Sequence, residues 1–480
     1  NLFAPSLPGI GTEIAWRRRY HGGASIGHVV GFVGNVDRFA VNDAAVLRLP
    51  DMRVGKYGAE AGFESDLRGS GGTRKVEVDA RGRVVRNLET VEPVHGRDVT
   101  LSIDGDLQQA IWKRLEKERL AAAVVLDVQT GEIVASNSVP GFDPASIAGG
   151  ISEADWQKLT AADDKPLLNR AISGQYAPGS TFKIVTALAA LGAGVVSPDE
   201  HVVCNGHYEF ADRTYPCWKP SGHGDLTMHD AIRCSCDVFF FEMARRAGIA
   251  KIAETARRLG LGAVYDFGLT DEKAGVIPDP DWKRGNLNAA WLGSDTLLTG
   301  VGQGYVQATP LQLALMTARI AGGLGVVPSI KKSDAQSPKQ NFAALSVNAA
   351  HLDVVRGGMI AAVNDEGGTG EKAKLGEGRP TVAGKTGTSQ ISMLTGETAE
   401  DNLERSKRDH ALFVAYMPAK APRYAMAAVI EHGGAGGMTA APLARDILNL
   451  VLDRDDRART GKDAAGDGAA SHKNASETAG

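Results

Sequence analysis

Pro178-Gly179-Ser180-Thr181-Phe182-Lys183 leads directly into Ile184-Val185-Thr186-Ala187-Leu188-Ala189-Ala190-Leu191. Pro-Gly marks a turn, and the apolar run that follows predicts a helix. Ser180 then stands at the helix start, with Lys183 one turn on and on the same face. A serine hydroxyl attacks only when a base takes its proton. A lysine serves as that base where burial or a neighbouring cation lowers its pKa. The helix N-terminus favours negative charge developing at Ser180. The pair alone decides little, because Ser is also an ordinary N-cap and Ser329-Ile330-Lys331-Lys332 repeats the spacing by chance.

Two further segments extend the pattern. Val382-Ala383-Gly384-Lys385-Thr386-Gly387-Thr388 reads as a strand with a bare glycine in it. Glycine admits a second backbone, such as a peptide substrate. Thr386 and Thr388 share one face and are placed to reach a carboxylate, and Lys385 is expected to add a fixed positive charge. A polar edge strand, where Lys and Thr are also normal, is the alternative. Ser235-Cys236-Asp237 precedes the helical run from Val238 to Ala244 and, taken singly, is no more than a cap.

Outward from these segments, the chain divides. It has 480 residues, so more than one domain is expected. Residues 1–97 hold short strand-like runs, Gly27 to Gly34 and Arg74 to Val78 among them, broken by glycine. Asp98 to Ile103 reads as a strand, and Asp106 as the cap of a helix from Leu107. Ala121 to Val128 and Gly131 to Ser136 read as a hairpin. Helices dominate from 150 to 320. Ala411 to Ala415 and Tyr424 to Glu431 are further strands, and Ala441 to Leu452 closes with a helix. Strands at both ends of 98–455 with helices between them predict one α+β domain whose antiparallel sheet draws on both ends. Residues 456–480 lack large apolar side chains and are expected to be disordered.

Composition excludes some classes. Hydrophobic residues are 43%, charged residues 23% and net charge -4, which fits a globular chain without a basic field for nucleic acid. Arg17-Arg18-Arg19 is too short to change that. No run approaches the roughly 18 apolar residues that span a bilayer. The sequence opens on Asn1, which leaves room for a membrane anchor upstream.

The four cysteines are clustered. Cys204, Cys217 and Cys236, with His223, make a Cys3His set of the kind that holds structural zinc. A Cys204–Cys217 disulfide is the alternative. It would leave Cys236 and His223 unexplained, and Cys234 is spare either way.

Ser-x-x-Lys, Ser-x-Asp and Lys-Thr-Gly, in this order, resemble the signature of penicillin-binding proteins and serine β-lactamases. Arg81-Gly82-Arg83-Val84-Val85-Arg86, the segment from Gly302 to Gln312 and Glu431-His432-Gly433-Gly434 are similar to class B penicillin-binding proteins, and among these to the penicillin-binding protein 2 group. Asp237, where Asn is commoner, fits that group. It also removes the amide hydrogen bond that Asn would offer the substrate.

The resemblance implies a penicillin-binding transpeptidase domain behind a smaller β-rich pedestal fragment at 1–97. It implies a D,D-transpeptidase that cross-links peptidoglycan stem peptides during elongation and is acylated by β-lactams. Ser180 would be the nucleophile and Lys183 its base, with Ser235 relaying the proton and Asp237 beside it. Lys385 would join Ser180, Lys183, Ser235 and Asp237 as a catalytic residue and, with Thr386 and Thr388, bind the substrate carboxylate; Gly387 would belong to the same substrate-binding strand, and the N–H groups of Ser180 and Thr388 would hold the oxyanion. No cofactor is needed for that chemistry. Some group members carry zinc at positions comparable to the Cys3His set. The pedestal would dock a SEDS glycosyltransferase of RodA type and an MreC-type scaffold, at the periplasmic face of the inner membrane. A β-lactamase, or a non-catalytic β-lactam sensor, of the same fold is the competing reading.

Overall fold

The hairpin read at 121–136 lies within a five-stranded antiparallel sheet. In this computed structural model, which describes residues 18–36, 47, 52–333, 341–390 and 407–460, strand β1 (Ala121–Asp127) pairs with β2 (Ile133–Val139). Three late strands complete the sheet: β3 (Ala383–Ser389), β4 (His410–Met417) and β5 (Tyr424–Ile430). The order is β3-β4-β5-β1-β2, so β5 lies against β1 and β3 is an edge. The sheet draws on both ends of the segment, as expected.

Both faces of the sheet are covered, which explains why its strands read as continuous apolar runs. Side chains alternate between faces with period two. Ala122, Val124 and Leu126 point into one core, which contains helix Pro310–Gly322. Ala121, Ala123 and Val125 point into a second core, with helices Gly105–Leu115 and Ala440–Thr460. Thr309 and Gln312 cap Pro310–Gly322 reciprocally, and Pro310 takes the position whose missing N–H costs nothing.

Several expectations need correction. Gly27 to Val30 form one helical turn, and only Val33–Asn35 is a strand, paired with Arg53–Gly55. Gly31 ends the turn at φ 77°, where a Cβ would lie 1.8 Å from the Tyr57 carbonyl. Asp98 to Ile103 is irregular, with one bridge from Leu101 to Lys331, because it finds no strand along which to pair. Asp104, not Asp106, caps the next helix, accepting from the Leu107 N–H at 3.0 Å. The closing helix runs on to Thr460, five residues into the span expected to be a tail; the remainder of that span, 461–480, is outside the described residues.

Part of the first hundred residues packs on the main body. His28 Nε2 lies 2.9 Å from the Pro166 carbonyl, and Gly58 N–H donates to Thr270 Oγ1 at 3.1 Å. Burial pushes the His28 pKa down to about 4. The ribbon Thr73–Val78 with Val84–Val91 instead stands in solvent, its second strand exposed throughout.

A buried ionic knot ties the residue after β5 to the segment before Ser180. Arg170 is 2% exposed; its Nε donates to Glu431 Oε1 at 3.0 Å and its two NH groups to the Asp164 and Lys165 carbonyls. Tyr176 O–H donates to the same Glu431 oxygen at 2.7 Å. Removing one partner of such a pair leaves a buried charge alone. Arg170→Ala is therefore expected to lose about 3–5 kcal/mol in urea unfolding. An unchanged midpoint would show that the knot contributes nothing.

Candidate active site

Gly179–Phe182 form a single 3-10 turn that runs into helix Lys183–Gly192. Gly179 has φ 53°, and a Cβ there would lie 2.2 Å from the Thr388 carbonyl oxygen, so the turn demands glycine. Ser180, half-buried, faces a cleft of about 560 Å³ whose walls include Trp218, Ser235, Gln303, Thr386 and Thr388.

Ser235 occupies the left-handed region, φ 58° and ψ 42°, between helices Met228–Cys234 and Asp237–Arg258. A non-glycine residue there stores strain of about 1–3 kcal/mol. The bend places Ser235 Oγ between two lysines: Lys385 Nζ at 2.7 Å and Lys183 Nζ at 3.3 Å. Lys183 is fully buried and donates also to the Ser235 carbonyl and to Asp237 Oδ1, each at 2.8 Å. The helical spacing thus brings Lys183 beside the Ser-x-Asp loop, and the three sequence motifs converge.

Two amines here share one carboxylate, and Lys183 has the direct ion pair. Burial pushes the Lys385 pKa well below its ordinary value, and the charge of Lys183 adds to that. The expected fixed charge on Lys385 is therefore not favoured by its surroundings. Lys385 also sits behind Ser235 rather than on the cleft wall, so Thr386 and Thr388 are left to meet a carboxylate. Thr386 Oγ1 is 2.8 Å from Thr369 Oγ1. Gly387 does admit a second backbone, but it is the enzyme's own: a Cβ would lie 2.8 Å from the Pro178 carbonyl.

Next to this loop, the ligand atoms of Cys204, Cys217, His223 and Cys236 all lie within 4.8 Å of one another. His223 Nδ1 is 3.6 Å from Cys204 Sγ and 3.5 Å from Cys217 Sγ. All four cysteines are free thiols, so the Cys204–Cys217 bridge is not formed. The Cys236 thiol donates toward Cys217, which pulls the Cys217 pKa down to about 5 and pushes that of Cys236 up. Three sulfurs and an imidazole, converging in a buried pocket, match the donors and the size of a tetrahedral zinc site. Cys234 is outside the group, its pKa raised by burial to about 11.

Trp218 escaped the sequence reading. Its backbone N–H donates to Asp237 Oδ2 at 2.9 Å and its indole N–H to the Ser235 carbonyl at 3.0 Å. It thereby joins the residue after Cys217 to the Ser-x-Asp loop. Nothing local marks it, since a Trp beside a Cys has no distinctive spacing.

A serine on a cleft that it shares with a second serine held between two buried lysines, beside an edge strand, is the arrangement of a serine acyl-transfer enzyme of the penicillin-binding and β-lactamase fold. Comparison with known proteins narrows the class. The penicillin-binding protein transpeptidase domain matches residues 121–449, and the penicillin-binding protein dimerisation domain matches 3–101. The chain belongs to the penicillin-binding protein transpeptidase family. It is 33% identical over 465 residues to peptidoglycan D,D-transpeptidase MrdA of Escherichia coli K12, covering 93% of this chain and 72% of that protein. The penicillin-binding protein PBP2 of Helicobacter pylori, solved as a complex with MreC, superposes with a TM-score of 0.85 at 30% identity, over 94% of this chain and 82% of that one. PBP2 of Pseudomonas aeruginosa in complex with WCK 5153 gives 0.79 at 32% identity, over 92% and 93%.

Proposed function

We infer that this chain is a peptidoglycan D,D-transpeptidase that works through a Ser180 acyl-enzyme, in the elongation and shape-maintaining role of the penicillin-binding protein 2 group. The carrying observation is Ser235 Oγ held between Lys183 and Lys385 beside the Ser180 turn. Lys183 passes a proton through Ser235 to Lys385 and, as a free amine, takes the Ser180 proton. Ser180 Oγ bonds to the carbonyl carbon between the terminal D-alanines. The N–H groups of Ser180 and Thr388 hold the oxyanion, a type of interaction worth several kcal/mol. The C–N bond breaks, the leaving D-alanine takes a proton from Ser235, which Lys183 replaces with the one taken from Ser180, and Thr386 and Thr388 hold its carboxylate. An amine of a second stem then resolves the acyl-enzyme. β-Lactams imitate the D-Ala–D-Ala end and acylate the same oxygen.

The test is Ser180→Ala, which is expected to abolish labelling by fluorescent penicillin. Retained labelling would remove Ser180 as nucleophile. Rapid nitrocefin turnover by the unaltered protein would favour a β-lactamase instead.

The Cys3His cluster supports a structural zinc held by Cys204, Cys217, His223 and Cys236. Bound there, the metal would fix the Ser-x-Asp loop through Cys236 and the Trp218 segment through Cys217. The acyl chemistry does not require it. The match at 3–101 supports a pedestal at 1–97 before a transpeptidase domain at 98–455. Similarity to PBP2 of Helicobacter pylori supports docking of an MreC-type scaffold. The RodA-type partner and the place at the periplasmic face of the inner membrane, with an anchor upstream, rest on the family resemblance. Among the described residues no helix is long and apolar enough to cross a membrane.

A further inference from the structure

Thr388 lies in edge strand β3 opposite Ala411 of β4. Its carbonyl turns toward the Gly179 turn, where it accepts from Gln303 Nε2 at 3.0 Å. In an antiparallel strand the N–H and C=O of one residue point to the same side. The Thr388 N–H therefore also opens on the cleft, where the reaction needs a donor over Ser180.

Gln303 is itself firmly held. Its backbone N–H donates to the Leu298 carbonyl at 2.9 Å, and the preceding Gly302 carbonyl accepts from the Gly179 N–H at 2.8 Å. Gly302 has φ 75°, and a Cβ there would lie 2.1 Å from the Gly179 carbonyl. One corner of chain thus clasps the nucleophile turn with its backbone and the end of the edge strand with its side chain. Asp237 supplies no such link. Its carboxylate accepts only, and both oxygens are taken, by Lys183 and Trp218.

We propose that Gln303 is a positioning residue of the acyl-transfer site, its carboxamide pinning the Thr388 carbonyl so that the Thr388 N–H stays aimed at the oxyanion over Ser180. This rests on the transpeptidase reading above. An oxyanion donor acts through its geometry, and a misplacement of about 1 Å costs on the order of a hundredfold in rate.

The experiment measures fluorescent-penicillin acylation of three variants across pH. Gln303→Leu fills the space without a donor and is expected to acylate about ten- to a hundredfold more slowly, with the binding step before acylation and the thermal midpoint little changed. Gln303→Glu is the decisive variant. Ionised, it turns a carboxylate on the Thr388 carbonyl; protonated, it again offers an O–H donor. Its rate relative to the unaltered enzyme is expected to recover as pH falls through the carboxyl pKa, while Gln303→Leu stays low throughout. A purely structural role would give no such recovery. A normal rate in Gln303→Leu, or a flat ratio in Gln303→Glu, would overturn the proposal; the second comparison stands even if the Leu variant fails to fold. Labelling that persists in the third variant, Ser180→Ala, would instead overturn the reading on which the proposal rests.

Discussion

Lys385→Met is expected to be acylated by penicillin about a thousandfold more slowly than the unaltered enzyme, while folding normally. Proton transfer by a positioned group contributes about 10²–10⁴ in rate. Lys385 is placed to take the proton Lys183 must shed, because Ser235 Oγ touches both amines and Asp237 holds Lys183. Methionine keeps the aliphatic stem and fills the site, so packing survives. Replacing a buried, poorly solvated amine by an apolar side chain is often neutral or stabilising.

The sign of the pH effect follows from the same burial. Lys385 has its folded pKa depressed well below the ordinary 10.5. Between those two values the unfolded chain binds a proton that the folded chain does not. The contribution of Lys385 to stability therefore rises as pH rises through that window and is greatest above the unfolded pKa. Lys385→Met lacks this rise. Urea unfolding of both proteins across the alkaline range reads it out as a diverging difference. A near-normal acylation rate would show that Lys385 does not relay the proton, and parallel pH profiles would show that its pKa is not depressed in the fold.

The second large effect is expected at the Cys3His cluster. Cys217→Ser is expected to bind less zinc and to acylate more slowly, through a loosened Ser-x-Asp loop and not through the acyl chemistry itself. The metal would tie Cys217 to Cys236, and these residues flank the two backbone segments that meet at Asp237: Trp218 N–H donates to the carboxylate that holds Lys183. Disturbing the supports of a metal site typically costs about 10–100-fold in affinity or activity, and removing a ligand outright should reach at least the upper end of that range. Metal content by mass spectrometry, the thermal midpoint and the acylation rate should fall together, and a chelator should reproduce the change in the unaltered protein. Metal-free protein with full stability and activity would reject the zinc.

Much of this site is legible in the sequence because its chemistry is local. Ser180 and Lys183 are a helical turn apart, and the apolar run behind them leaves one reading of the backbone. The sheet was legible for a related reason: Val124 to Leu126 and Tyr424 to Ile430 are buried on both faces, and continuous apolar runs announce that. Contacts between distant segments were not legible. Gln303 meets Thr388 across 85 positions, and Trp218 meets Asp237 across 19, with no periodicity to report either. The short strands Val202–Cys204, His207–Phe210, Arg213–Pro216 and Gly224–Leu226 were missed because three or four residues show no alternation. Those strands and their connections present Cys204, Cys217 and His223, and Cys236 comes from the cap of helix Asp237–Arg258. The burial of Lys385 was not legible for another reason. A lysine in a polar-looking strand reads as a surface charge, and only burial behind Ser235 shows otherwise.

The central claim is that Ser180 forms an acyl-enzyme that the site does not rapidly hydrolyse. Intact mass of the protein after incubation with benzylpenicillin tests it most directly. The account predicts a stable adduct of one penicilloyl group, located on Ser180 by peptide mapping and missing from Ser180→Ala. Penicillin consumed without an adduct, or an adduct on any other residue, would contradict it.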